Sequence, residues 1–276
     1  MDKESFFISL FNSKAIGDDA AVVGDRVYSA DMFVENVHFK REWMSPYEIG
    51  YKAMAVNISD AIAMNADPRL ALLCVGMPGD ISPFEMRELA RGVLECADLY
   101  GVEVIGGDTV SDSKISVSIT LVSETKRPIF RTGIKPGYLL AYTGTLGESA
   151  KELKRALRGR RLKSGSRFKK PVLRDKFVAK AARYLKAAMD ISDGLFEDLR
   201  KMLKSNSLGV KMLIDVKSDA GCSGEEYEIL FAFDPKDLRA ISKIAASTRT
   251  KVTVFGEAVR GKMPAICPKH HFKNRR

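Results

Sequence analysis

Histidine, cysteine and tryptophan are scarce in this chain, and no long apolar run is present. Three histidines, four cysteines and one tryptophan stand among 276 residues. Two of the histidines, His270 and His271, sit at the far end, which leaves little imidazole for acid–base chemistry. Cys74, Cys96, Cys222 and Cys267 form no C-x-x-C pair and have no histidine at zinc-finger spacing, which excludes a structural zinc fold. They read as reduced thiols, and Cys267 with His270 and His271 reads as a polar tail. The most apolar stretch, around Leu70 to Met77, is too short to cross a bilayer. The opening MDKESFFISLF lacks the apolar core of a secretory signal, so a cytoplasmic location is expected. No G-x-x-x-x-G-K-[ST], G-x-G-x-x-G, H-R-D or D-F-G motif occurs, and Gly159 to Ser166 only superficially resembles a P-loop.

What the chain does have is charge in particular places. Its formal net charge is +10. Between Lys151 and Lys186 lie eight lysines and seven arginines against Glu152 and Asp175, a net +13, so the remainder is nearly balanced. Three readings of this segment stand: a solvated helical face with a basic loop, which is preferred; a nucleic-acid surface, against which the sparse aromatics argue; and a device that draws in polyanions. The aspartates are placed differently. They recur beside glycine, serine and strand ends, at Gly17-Asp18-Asp19, Asp31, Ser59-Asp60, Gly107-Asp108 and Asp190-Ile191-Ser192-Asp193. Carboxylates gathered this way in a basic chain suit Mg²⁺, which is held by a few carboxylates together with substrate phosphates. Each motif alone is more often a turn or a helix cap. Asp60, amid Ile58, Ala61, Ile62 and Ala63, is harder to place that way, because a buried carboxylate needs a partner.

The pattern along the chain is alternating α/β. A helix is expected over Lys3 to Phe11, and a hairpin over residues 20–31 around Gly24-Asp25. Ser45-Pro46 and Ser82-Pro83 each open a long helix, with serine as cap and proline in the first turn. Strands are expected at 70–75, 102–105, 114–123, 138–143, 210–214 and 252–259, with helices from Glu148, over 171–186, from the Asp190 motif to Ser205, and over 235–246. The turn at Gly133 to Gly137 divides the chain into residues 1–134 and 135–276.

Taken in order, GDDAAVV (17–23), SADMFVENVHF (29–39), GYKAMAVNISDAIAMNADP (50–68), IGGDTV (105–110), FRTGIKPGYLLAYTGTLGES (130–149), MDISDGLFEDL (189–199) and SGEEYEILF (223–231) resemble the thiamine-monophosphate kinase family of the aminoimidazole-ribonucleotide-synthetase-like superfamily. The resemblance runs to about Val259. It implies two α/β domains, with the N-terminal halves of two subunits pairing into a β-barrel, nucleotide in the resulting cleft, and transfer of phosphate from ATP to thiamine monophosphate. It also implies several Mg²⁺ ions at Asp19, Ser29, Asp31, Asp60, Asp108, Asp190 and Asp193. ATP contacts are implied at Gly107, Asp108, Arg131 and Ser192, and substrate contacts at His38 and Glu225. No general base is implied. The chain departs from the family pattern at Ala30, usually threonine, at Glu226, usually aspartate, and in a shorter 214–223 loop; His271-Phe272 resembles the family's closing residues. The alternatives are another ATP-dependent enzyme of the superfamily and a basic RNA-binding protein on an inactive scaffold. Taken singly, His38 also reads as a strand-end cap, and Glu225 and Glu226 as solvated turn carboxylates.

Overall fold

A computed structural model describes residues 3–267. The first half contains α1 (Lys3–Ile8), β1 (Ala21–Val23), β2 (Arg26–Val34), α2 (Pro46–Ala63), β3 (Asp67–Met77), α3 (Pro83–Leu99), β4 (Glu103–Ser111) and β5 (Ser116–Glu124). Its strands form one sheet in the order β1-β2-β5-β3-β4, antiparallel except where β3 and β4 run parallel through the α3 crossover. The second half contains β6 (Leu139–Thr143), α4 (Glu148–Leu157), α5 (Asp175–Ala181), β7 (Leu185–Asp190), α6 (Leu195–Ser205), β8 (Leu208–Met212), α7 (Ser218–Gly221), β9 (Ile229–Phe233), α8 (Leu238–Ser247) and β10 (Val252–Arg260). Here the order is β7-β9-β6-β10-β8, with every pairing antiparallel.

Strand β2 shows how the first sheet is faced. Val27, Ser29 and Phe33 are buried on one side, and Tyr28 and Met32 are exposed on the other, as the two-residue strand period requires. The inward side packs on α2. That helix opens on the capping box expected at Ser45, whose hydroxyl accepts from Glu48 N–H while Glu48 accepts from Ser45 N–H. Nearly every residue from Ile49 to Ala63 is buried, because α2 is enclosed by its own sheet, by α3 and by β7. Close approach to α3 depends on Gly50 and Gly92: a Cβ on either would sit 2.1 Å from the Leu89 carbonyl oxygen or 2.0 Å from that of Tyr47. One apolar core therefore runs continuously from Phe33, Met54 and Ile58 to Phe177 and Phe231 of the second half. A second core lies on the other face of the second sheet, where Leu195, Leu199 and Leu203 of α6 meet Met189, Leu230 and Phe255.

Several expectations are corrected. The helix expected over 171–186 is only α5, and Leu185 to Asp190 form a strand in which Ala187, Ala188 and Met189 are fully buried. Helix propensity in Lys-Ala-Ala yields here to pairing with β9, itself a strand not foreseen and buried throughout. The cysteines are not all free, since Cys222 and Cys267 form a disulfide that ties the chain after β10 to the turn after α7. Two cysteines 45 residues apart carry no sequence signal of pairing. His270, His271 and Phe272 lie outside the described residues.

The basic segment also departs from a solvated loop. Arg158, Arg160, Arg161 and Lys163 are exposed, but residues 166–174 are clamped between the halves. Phe168 is buried, Lys169 Nζ lies 3.0 Å from Glu48 of α2, and Lys170 reaches Tyr47. Arg174 grips the fully buried Glu228 with two hydrogen bonds of 2.6 Å, Thr143 Oγ1 donates a third at 2.6 Å, and Arg167 pairs with the same carboxylate. Glu228→Gln removes the charge that compensates two half-buried guanidiniums. It should destabilise the fold by about 3 kcal/mol or more, read as a fall in the urea midpoint; a midpoint equal to the parent's would show that this clamp is dispensable.

Candidate active site

Carboxylates from separate elements converge on one cleft of about 680 Å³. Asp18 and Asp19 come from the turn before β1, Asp31 from the inward face of β2, Asp60 from α2, Asp190 from the last position of β7, and Asp193 from the turn into α6. Asp19, Asp60 and Asp190 each place one oxygen within 4.8 Å of the others. Asp60 is the one residue of the last three turns of α2 that is not buried, and it faces this cluster. Asp190 accepts from Ser59 Oγ at 2.8 Å, and Asn57 Oδ1 accepts from the Asp31 N–H at 2.9 Å, so α2 orients two strands, β7 through Ser59 and β2 through Asn57.

Burial and crowding have the same electrostatic consequence. Desolvation, then repulsion from Asp31, Asp190 and Asp19, pushes the Asp60 carboxyl well above the ordinary aspartate range. Asp190 is raised likewise by burial and then by Asp19, and Asp31 is pushed up to about 6 by burial and then by Glu225 and Asp19. Asp19 rises by burial despite the ion pair that Arg131 makes with it. The cluster also holds an orphaned atom, for Asp19 Oδ2 is buried without a hydrogen-bond partner; Ser29 Oγ on β2 is likewise unpartnered, although Ser29 is not among the residues lining the cleft. Three repelling carboxylates, one with an unmet buried oxygen, are a donor set that fits a hard divalent cation.

Cations surround the acids. Arg131, held by its N–H to Asp18 Oδ1 at 2.5 Å and by its guanidinium to Asp19, presents to the cleft from the segment joining the halves. Lys201 of α6 pairs with Asp193 and lies 3.3 Å from Asp198. Asp198 and Lys201 were not singled out in the sequence. Asp198 is fully buried, accepts from the Asp193 N–H at 3.0 Å, and is pushed up to about 7 by burial. Its signal was the acid five residues after Asp193 in DGLFED, on the first turn of α6.

The same cleft is lined by Phe33, His38, Glu225 and Tyr227. His38 Nδ1 accepts from the Val34 N–H at 3.0 Å, so the strand-end reading is correct for one nitrogen, and the ring's proton sits on Nε2. The imidazole stacks on Phe33 with centroids 5.6 Å apart. Glu225 takes a left-handed φ of 60°, its N–H donating to the Ser192 carbonyl at 2.7 Å, which joins the turn before β9 to the Asp190 turn. Glu226 is no solvated carboxylate: it is buried and accepts from the N–H groups of Gly147 and Ser149 at 2.8 and 3.2 Å, capping α4.

Gly107 and Asp108 are not brought in. They sit on the exposed edge strand β4, three strands from β2 and so about 14 Å across the sheet from Asp31. Gly107 has a structural role of its own, since a Cβ there would lie 1.7 Å from the Leu73 carbonyl oxygen at the bulge between β3 and β4. Ala30 points to the exposed side of β2, away from Ser29 and Asp31. A second cavity of about 690 Å³ beside Asn65 and Arg127 contains none of the expected site residues, and its four basic side chains are matched by four acids.

The AIR synthase related protein N-terminal domain family matches residues 17–125, and the corresponding C-terminal domain family matches residues 135–266. A thiamine-monophosphate kinase from Rhodopirellula baltica is 32% identical over 259 residues, covering 82% of this chain and 78% of the relative. The solved structure of AaThiL complexed with AMPPCP and TMP superposes with a TM-score of 0.84 at 26% identity, over 96% of this chain and 91% of that one. The crystal structure of thiamine monophosphate kinase from Aquifex aeolicus superposes with a TM-score of 0.81 at 25% identity, over 95% and 93%.

Carboxyls whose folded pKa lies above the unfolded value bind more protons in the native state, so they stabilise the fold increasingly as pH falls. Asp31 should therefore stabilise the metal-free protein increasingly as pH falls below about 6, the level to which its carboxyl is raised, and Asp60 and Asp190, raised likewise, add to the same trend. Asp60→Asn should raise the metal-free melting temperature at pH 8, flatten that pH dependence, and remove most of the rise that Mg²⁺ gives the parent. Thermal melts at pH 8 and at about pH 5, with and without Mg²⁺, check this; an Asp60→Asn protein with the parent's pH slope and Mg²⁺ response would overturn it.

Proposed function

The chain belongs to the AIR synthase related family and, within it, to the thiamine-monophosphate kinases, and from that premise we propose that it phosphorylates thiamine monophosphate with ATP by direct in-line transfer, giving thiamine diphosphate and ADP. The observation that carries this reading is the cluster of Asp19, Asp60 and Asp190 in a cleft lined also by Phe33, His38, Glu225 and Tyr227. Asp19, Asp31, Asp60, Asp190 and Asp193, with Ser29, would hold Mg²⁺. Bound there, the ions neutralise charge on the transferring phosphate. Arg131 is placed to bind phosphate oxygens through the planar donors that now meet Asp19, and Ser192 lies beside it in the cleft lining.

The acceptor is itself a phosphate monoester with a second pKa of about 6, hence largely a dianion at neutral pH. It needs no base to become a nucleophile. The barrier is the repulsion between two anions, and phosphoryl transfer through a loose transition state asks for alignment and charge neutralisation. His38, with Nδ1 committed to the Val34 N–H, acts as a donor from Nε2 toward the acceptor. Glu225 supplies a carboxylate for the cationic thiazolium end of the substrate. Residues 1–134 carry most of the metal site, and residues 135–276 complete it from β7 and the α6 turn. No helix of the described residues is long and apolar enough to cross a membrane.

The same reading accounts for the open face of the first sheet. Tyr28, Met32, Leu72, Ile105 and Val110 are each more than 40% exposed there, an apolar surface rarely left bare on a monomer. A second copy laid on this face forms the shared barrel and carries its own Gly107 and Asp108 to the first copy's cleft, which the 14 Å span in one chain (about three strand spacings) denies them in cis.

Incubation with ATP, Mg²⁺ and thiamine monophosphate should yield ADP and thiamine diphosphate, with inversion at a chiral γ-phosphorus, and other phosphate monoesters should be poor acceptors. Asp60→Asn should lower kcat/KM by about 10²-fold or more. Retention of configuration, or equal turnover of unrelated acceptors, would refute this mechanism. For the shared site, Asp60→Asn and Asp108→Asn subunits should each be inactive alone. Mixed and re-equilibrated in equal amounts they should regain roughly a quarter of the parent activity, because half the dimers then hold one intact site; no recovery would place Asp108 in cis or outside the site.

A further inference from the structure

Lys52 is fully buried on α2, two turns before Asp60, although lysine is seldom buried without a partner. Its ammonium lies 2.7 Å from Glu225 Oε2 and 4.2 Å from the centre of the Phe168 ring, with Phe33 at 5.6 Å and Tyr227 at 5.9 Å. The surroundings are thus three aromatic faces and one carboxylate, an arrangement that holds a cation by its charge and by the rings' quadrupoles. Lys52 does not line the cleft, whereas Phe33, Tyr227 and Glu225 do, and the Glu225 side chain keeps 28% of its surface exposed. Burial alone would raise the Glu225 carboxyl; Lys52, and more weakly His38, hold it below the ordinary glutamate range instead.

We infer that Lys52 is a positioning residue for the acceptor: from beneath the cleft it keeps the Glu225 carboxylate ionised and turned toward the bound substrate, with Phe168 of the basic segment as its seat. The inference rests on the reading of this end of the cleft as the thiamine monophosphate site. It also gives residues 166–174 a functional consequence, because that clamp delivers Phe168 to Lys52. The left-handed backbone at Glu225 and Tyr227 fixes where the carboxylate starts, and Lys52 fixes where it ends.

The test compares two ligands on the intact chain, thiamine monophosphate and Mg²⁺–AMPPCP, by calorimetry and steady-state kinetics. Lys52→Met should weaken thiamine monophosphate binding and raise its KM by at least about tenfold, with AMPPCP affinity and the KM for ATP unchanged; Lys52→Arg should restore most of the loss. Adding Lys52→Met to Glu225→Gln should cost no further acceptor affinity, since Lys52 acts through the charge that Glu225→Gln has removed. Phe168→Leu, which loosens the seat and leaves the charge, should give a smaller loss of the same kind and serves if Lys52→Met does not fold. Equal losses for both ligands, an unchanged acceptor KM, or additivity with Glu225→Gln would overturn the inference. A parent protein that binds AMPPCP yet neither binds nor phosphorylates thiamine monophosphate would instead refute the functional reading on which it rests.

Discussion

Mutual repulsion among Asp19, Asp60 and Asp190, withdrawn from water with one oxygen each inside 4.8 Å, is the constraint on which the rest of this structure depends. Left alone, such a cluster destabilises the native state, as the raised carboxyls of Asp60 and Asp190 express. The chain offsets it in part with Arg131, which pairs with Asp19, and with Lys201, which pairs with the neighbouring Asp193. The remainder is a standing demand for cations. A site built this way would owe any affinity for metal to the fold that holds the acids together, not to any one motif as a strong ligand.

Helix α2 carries both ends of the site. Its buried length leaves no face free to drift, and the glycine contacts with α3 fix its position to within a methyl group. Two turns separate Lys52, beside Glu225, from Asp60 in the acidic cluster. Their spacing is therefore set by helix rise, about 1.5 Å per residue, rather than by loops. Strand β2 repeats the arrangement, with Asp31 and Phe33 two residues apart on one face. Alignment of two anionic substrates asks for rigid spacing of this kind.

The positive charge of residues 151–186 divides into two physical roles. Arg167 and Arg174 are committed to Glu228 within the second half, and Lys169 and Lys170 join the halves through Glu48 and Tyr47. Arg158, Arg160, Arg161 and Lys163 remain exposed. Only this second group can act on approaching anions at a distance, and salt would screen it over about 10 Å at 0.1 M. The disulfide between Cys222 and Cys267 likewise fixes a segment next to the turn before β9, three residues before Glu225.

Local signals in the sequence were enough for the capped helices at Ser45 and Ser82, the hairpin at Gly24-Asp25, and the aspartates at strand and helix ends, because capping, turn chemistry and two-residue alternation act between near neighbours. The ordered motifs also sufficed for the family, and with it the α/β class. What the residues could not reveal was decided by contacts between distant segments. Leu185 to Asp190 became a strand because a buried partner, β9, outweighs helix propensity; Asp108 fell outside the cleft because sheet order, unlike motif order, separates it from Asp31. Lys52, Glu228 and the Cys222–Cys267 pair look like an ordinary lysine, glutamate and two stray thiols in one dimension. Burial and proximity gave them their roles, and both are properties of the folded chain alone, since desolvation and Coulomb energy depend on distances that the sequence does not contain.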